Sequence, residues 1–170
     1  MTGKTSVIHP AELEDTELVK LCKESRDRAS GPGGQHRNKV ETRITLVHTA
    51  TGLSGMAGER RSQAQNRQTA LFRLRLNLAL EMRVPRQKKS NLWIERTKTG
   101  RISCNAKHRD FPALIAEALD VLYEVDWTPS KAACHLSCSG SQLIKFLKQY
   151  GPAFERLNAE RTKAGLRPLR

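Results

Sequence analysis

Polar and apolar positions change period several times along the chain, and each change marks an element. After a mostly polar N-terminal stretch, Pro10 is followed by Ala11, Glu12, Leu13, Glu14, Asp15, Glu17, Leu18 and Leu21. This reads as a short helix, with proline near its start and acids in its first turn. From Cys22 to Ala29 charges alternate without a helical period. Val40, Thr42, Ile44 and Leu46 then alternate with Glu41, Arg43 and Thr45, the period of a half-buried strand. Thr51-Gly52 turns the chain, and positions 53–57 return as a second strand, weakened by Gly55. Ser62, with Gln65 three residues on, forms a capping box that opens a helix running to Val84, where Pro85 stops it.

On a helical wheel, Leu71, Leu74, Leu78, Ala79 and Met82 share one face, and Phe72, Leu76 and Leu80 extend it beyond Arg75. Only Arg73, Asn77 and Glu81 form a clearly polar stripe. A helix so broadly apolar calls for cover on two sides, by its own sheet and by the segment that follows. Arg75 is expected to carry its charge to a rim.

Beyond Pro85, Arg86, Lys88 and Lys89 make a basic connector, and positions 92–96 and 101–104 flank Thr99-Gly100 as arms of a small hairpin. Asp110 and Pro112 start a helix in which Leu114, Ile115, Ala118, Leu119, Leu122 and Val125 keep the 3.6 period. Thr128-Pro129 opens a helix over 132–136, Ser139 caps another over 140–150, Gly151-Pro152 breaks the chain, and a last basic helix ends near Gly165. The two short helices resemble a helix-turn-helix. The second exposes Ser141, Gln142, Lys145 and Lys148, a face that suits DNA, RNA or plain solvent. The expected class is α+β: a small antiparallel sheet packed on one long helix over 1–85, then an all-α module with helix-turn-helix character over 86–170, preceded by the hairpin.

Composition narrows the partners. At 170 residues and 38% apolar, the chain suffices for one ordinary domain or two small ones. With 5% aromatic residues it lacks the means for a base-stacking platform. Residues 31–89 carry 12 Lys/Arg against 3 Asp/Glu, whereas residues 1–30 carry 5 against 6, so the net charge of +13 gathers around one stretch. A polyphosphate partner, RNA first, follows. Cys22, Cys104, Cys134 and Cys138 are scattered, and their spacing to His108 and His135 is poor for zinc, so no metal or other cofactor is expected. With no secretory signal read and no apolar run near 20 residues, reduced thiols, a cytoplasmic setting and no membrane partner are expected.

The most basic stretch contains Ser30-Gly31-Pro32-Gly33-Gly34-Gln35-His36-Arg37-Asn38-Lys39. Three glycines in four positions suit neither helix nor strand, so this is a loop whose backbone can approach another molecule closely, with polar groups directly behind the bend. Glu59-Arg60-Arg61-Ser62-Gln63, Asn66-Arg67 and Ala70 follow downstream.

In this order the set resembles the GGQ domain of peptide chain release factors and ribosome-rescue peptidyl-tRNA hydrolases, over about residues 21–84. Arg37, Val40 and the extra arginine within the Glu59–Gln63 run depart from the family pattern. The resemblance implies a first strand at 22–29 and a loop that enters the ribosomal peptidyl-transferase centre, where water hydrolyses the ester between nascent peptide and tRNA. It assigns catalysis to Gly33, Gly34 and Gln35, with the Gln35 backbone N–H on the oxyanion and its side chain shaping the water pocket. Arg28, His36, Arg37, Asn38, Lys39, Arg43, Arg60, Arg61, Gln63 and Arg67 are the expected contacts to large-subunit RNA or peptidyl-tRNA. No stop-codon-reading domain can be recognised, so the expectation is a monomeric, codon-independent release or rescue hydrolase that works with the ribosome. The alternative is an RNA- or ribosome-binding factor that keeps the fold without hydrolysis.

Overall fold

The alternation of Ile44, Leu46 and His48, all buried, against more exposed neighbours builds the central strand of a three-stranded sheet. The computed structural model describes residues 8–27 and 42–170. Strands β1 (Cys22–Asp27), β2 (Arg43–His48) and β3 (Ser54–Ala57) are antiparallel in the order β1-β2-β3. Cys22 faces His48, Asp27 faces Arg43, and Ile44 faces Ala57. A short helix α1 (Asp15–Lys20) precedes β1. The class is α+β, with a small antiparallel sheet and several helices.

Helix α2 (Gln63–Glu81) lies against β3 at a backbone-to-backbone approach. A Cβ placed on Gly55 would stand 2.1 Å from the Ala70 carbonyl oxygen and 2.4 Å from the Leu74 nitrogen. The glycine that weakens the strand in sequence terms is therefore what lets helix and sheet meet. The polar stripe of α2 is used rather than idle: Asn77 donates to the Ser54 carbonyl (2.7 Å) and Arg73 to the Met56 carbonyl (2.7 Å). Arg75 is buried, and its guanidinium reaches Asp15, itself largely exposed, at 2.7 Å.

Helix α2 stops at Glu81, ahead of the expected Val84. Arg83 folds back and donates to the carbonyls of Ala79 and Leu80, at 2.7 and 2.5 Å, and to that of Met82. These are carbonyls that a helix end leaves unpartnered.

The remaining elements are a 3₁₀ turn (Pro10–Glu12), α3 (Asn91–Arg96), β4 (Thr97–Lys98), β5 (Arg101–Ile102), α4 (Phe111–Glu124), α5 (Pro129–His135), α6 (Gly140–Leu147) and α7 (Gly151–Lys163). Positions 92–96, expected as a hairpin arm, are helical. Ser90 accepts the Trp93 N–H at 2.9 Å and caps that turn, which leaves only two residue pairs for the hairpin. Gly151-Pro152 opens α7 instead of breaking the chain, because proline suits a helix's first turn.

Helix α4 is buried from Phe111 to Leu122. Trp93, Phe111 and Phe146 meet edge-on around it, and the Trp93 indole donates to the Leu136 carbonyl at 2.9 Å. Two acids of α4 draw in the connector. Glu117 accepts from the Ser90 N–H (2.8 Å) and hydroxyl (2.5 Å), and Asp120 accepts from the Val84 N–H (3.1 Å) and Arg86 Nε (3.0 Å). Arg86 also pairs with Glu12 of the 3₁₀ turn, so the connector's arginine is consumed internally. Contacts divide the described residues into two units: Leu13–Leu78, and the residues up to Glu12 together with Ala79–Arg170. The division falls inside α2, ahead of Pro85.

Candidate functional site

Because β1 and β2 are antiparallel neighbours, with Asp27 opposite Arg43, the chain leaves and re-enters the sheet at one end. Gly33, Gly34, Gln35, Arg28, His36, Arg37, Asn38 and Lys39 all belong to the intervening segment and lie outside the described residues. Arg43, Arg60, Arg61, Gln63 and Arg67 are described: Arg43 opens β2 opposite Asp27, Arg60, Arg61 and Gln63 lie on the turn tied to Thr42 through Asn66 and at the start of α2, and Arg67 reaches Glu24, opposite Leu46 in mid-strand.

This placement has a specific cause. Strand β3 leaves the sheet through Ala57, next to Ile44, and a Cβ on Gly58 would sit 3.3 Å from the Arg43 Cβ. The following turn, 58–62, carries Arg60 and Arg61 and ends where the Ser62 hydroxyl accepts the Gln65 N–H at 3.4 Å, beginning α2. One turn later Asn66 is fully buried. Its amide NH₂ donates to the Thr42 carbonyl (2.6 Å) and the Arg60 carbonyl (2.8 Å), and its Oδ1 accepts the Arg60 N–H (2.9 Å). Two carbonyls and one N–H around a single carboxamide fix its orientation. Asn66 thereby pins the foot of the segment ahead of β2 to the arginine-bearing turn.

The charge of these arginines is partly compensated. Glu24 of β1 accepts from Arg67 Nε at 2.7 Å and from Arg26 at 3.1 Å and 3.2 Å. The Arg67 hydrogen bond, more than any other influence, holds the Glu24 carboxyl below its ordinary range. Arg73 does the same for Glu59, at 2.6 Å. Both carboxylates therefore stay ionised and are poorly matched to take a proton near neutrality. Among the described residues, Arg60 and Arg61 pair with no carboxylate, and both side chains are exposed. What the described part offers is thus a cationic, polar frame beside the ends of β1 and β2, and no acid–base pair of its own.

The sequence places Arg67 with the nucleic-acid contacts without its bond to Glu24, counts Asn66 only as part of the family pattern, and gives Glu24 no role. The signal for Asn66 was present: asparagine favours caps and turns, and inside the second turn of a helix it needs a specific partner. Among the described residues no group of three or more His, Cys, Asp or Glu could hold a metal ion, and no helix is long and apolar enough to cross a membrane. The four cysteines are free.

Known proteins give this frame a family. The chain is 37% identical over 164 residues to peptide chain release factor 1 of Chlorobaculum tepidum, covering 92% of this chain and 44% of that protein. It is 43% identical over 81 residues to peptide chain release factor 2 of Lactiplantibacillus plantarum, and 41% over 80 residues to peptide chain release factor 1 of Malacoplasma penetrans. Those two alignments cover 45% and 44% of this chain, and 22% of each relative. The chain thus spans less than half the length of these relatives. No solved structure matches it significantly. The profile described as RF-1 domain matches residues 17–112, more than half of the chain and the whole of the frame just described, and the chain therefore belongs to the RF-1 domain family.

Proposed function

We propose that the protein is a translation release or rescue factor that hydrolyses the peptidyl-tRNA ester in the ribosomal peptidyl-transferase centre without reading a stop codon. The observation that carries this reading is a Gly33-Gly34-Gln35 sequence in a segment whose two ends are neighbours on one sheet, with Asn66 pinning its foot and Arg60 and Arg61 beside it. In the proposed reaction a water oxygen attacks the ester carbonyl. The tetrahedral oxyanion takes a hydrogen bond from the Gln35 backbone N–H, and the Gln35 side chain orients the water. The ester C–O bond then breaks, and peptide acid and tRNA hydroxyl separate. Positioning and oxyanion stabilisation suffice for such a step, because the RNA surrounds the reacting atoms. Gly33 and Gly34 keep Cβ atoms out of the approach. The arginines meet RNA phosphates, and residues 86–170 select which ribosomal complex is engaged. Ribosome and peptidyl-tRNA are the partners, met by a cytoplasmic monomer.

The test is peptide release from programmed ribosomes carrying a stop codon, a sense codon or no codon in the A site. Equal release in all three, and loss of about a hundred- to a thousandfold in folded Gly34→Ala, is expected. Release confined to stop codons would remove codon independence. Binding without release by the unaltered protein would make it a non-hydrolytic ribosome-binding factor.

A further inference from the structure

The two-residue hairpin β4–β5 presents an arrangement that costs stability by itself. Lys98 and Arg101 face each other directly across the ladder, and like charges in that position repel. The turn between them has positive φ at both Thr99 (49°) and Gly100 (76°), unusual for a β-branched residue. Neither Lys98 nor Arg101 pairs with a carboxylate among the described residues.

Helix α6 lies against this hairpin. Gln142, Lys145 and Phe146 share one face of α6, Gln149 follows in the turn after it, and with Arg101 and Ile102 they line an open cleft of about 210 Å³. Buried Phe146 lines its apolar side, together with half-buried Ile102. The polar lining is one guanidinium, one ammonium and two carboxamides, with no carboxylate. Lys145, like Arg101, has no acidic partner among the described residues. Arg101 and Lys145, both exposed, line one cleft without a counter-charge, next to a like-charged cross-strand pair, and such a surface attracts an anion.

We propose that this cleft is a second RNA site, separate from the loop end of the sheet, in which Arg101 and Lys145 hold backbone phosphates. The chemistry favours RNA over DNA. A carboxamide oxygen can accept the 2′-hydroxyl proton that DNA lacks, and Gln142 and Gln149 stand beside the two cations. Buried Phe146 offers no exposed ring for stacking, so the contact is to backbone and ribose rather than base.

Binding of the full chain to a fluorescently labelled RNA hairpin, titrated over a range of salt, tests this without ribosomes and without release activity. It therefore fails or succeeds independently of the proposed hydrolysis. Folded Arg101→Gln/Lys145→Gln is expected to bind about tenfold or more weakly, with the slope of log affinity against log salt reduced by about 1.4 to 1.8, for two phosphates lost. Lys163→Gln, whose ammonium already pairs with Glu160, should change neither. Gln142→Ala/Gln149→Ala should narrow the preference for RNA over a DNA hairpin of the same sequence. Unchanged affinity and slope in the folded cation double variant would overturn the site. Equal loss on DNA, with no RNA preference in the unaltered protein, would overturn its assignment to RNA.

Discussion

At the scale of single residues, Asn66 shows how much one side chain can fix. Its three hydrogen bonds join Thr42, Arg60 and α2, and all belong to a fully buried carboxamide. Asn66→Ala should lower stability by about 2 to 4 kcal/mol in urea unfolding, since it strands two carbonyls and an N–H. Asn66→Asp should be worse still for peptide release. It keeps the acceptor for the Arg60 N–H but sets an anionic oxygen against two carbonyls, pushing the segment's foot away from the arginine turn. The check is release rate at saturating factor. Release by folded Asn66→Asp equal to that of the unaltered protein would mean that the pin has no part in positioning the loop.

At the scale of elements, helix–sheet packing depends on an atom that is missing. Gly55→Ala would drive a methyl group into the Ala70 carbonyl and the Leu74 nitrogen, backbone atoms that cannot rotate aside. Forcing the strand off the helix should cost about 3 kcal/mol or more, read as a lowered unfolding midpoint. Gly52→Ala is the companion. Its φ of 72° is strained for alanine, but nothing lies within 4 Å of the new methyl, so about 1 kcal/mol is expected. Elements whose signal is periodic were legible from the sequence: the alternation of Ile44 and Leu46, the register of α4, and the Ser139 cap on α6, whose hydroxyl accepts the Gln142 N–H at 3.2 Å. Elements decided by partners far along the chain were not. Positions 92–96 are β-like in composition and helical in place because Ser90 caps them while Glu117 holds Ser90. The loop's glycines and the signature around Arg60 revealed the family. That the asparagine at 66 needs a partner is legible locally, but the partner, Thr42, lies 24 positions away and outside any local window.

At the scale of the whole molecule, the residues up to Glu12 and those from Ala79 onward share one unit, bound by a polar cluster in which His9 and Asp120 are buried and Glu12 and Arg86 half-buried. Burial pushes Asp120 from 3.8 up to about 6 against the opposing pull of Arg86, while burial, helped by Arg86, lowers His9 from 6.5 to about 4. The signs are opposite. Folded Asp120 holds its proton more tightly than the unfolded chain does, so its contribution to stability falls as pH rises from about 3.8 to 6. Folded His9 holds its proton less tightly, so its contribution rises from about pH 4 to 6.5. The stability advantage of the unaltered protein over Asp120→Asn should therefore shrink with rising pH, and its advantage over His9→Gln should grow, in urea titrations over that range. Parallel curves would show that neither group's pKa differs between the folded and unfolded chain. The same cluster also has a temporal side. Glu12 waits for Arg86, made 74 positions later, and His9 and Ala11 wait with it. During synthesis from the N-terminus, Leu13–Leu78 can close while the turn before it is still unclaimed. A protease site engineered beside His9 would thus act as a clock, cut in arrested nascent chains and protected once α4 has emerged.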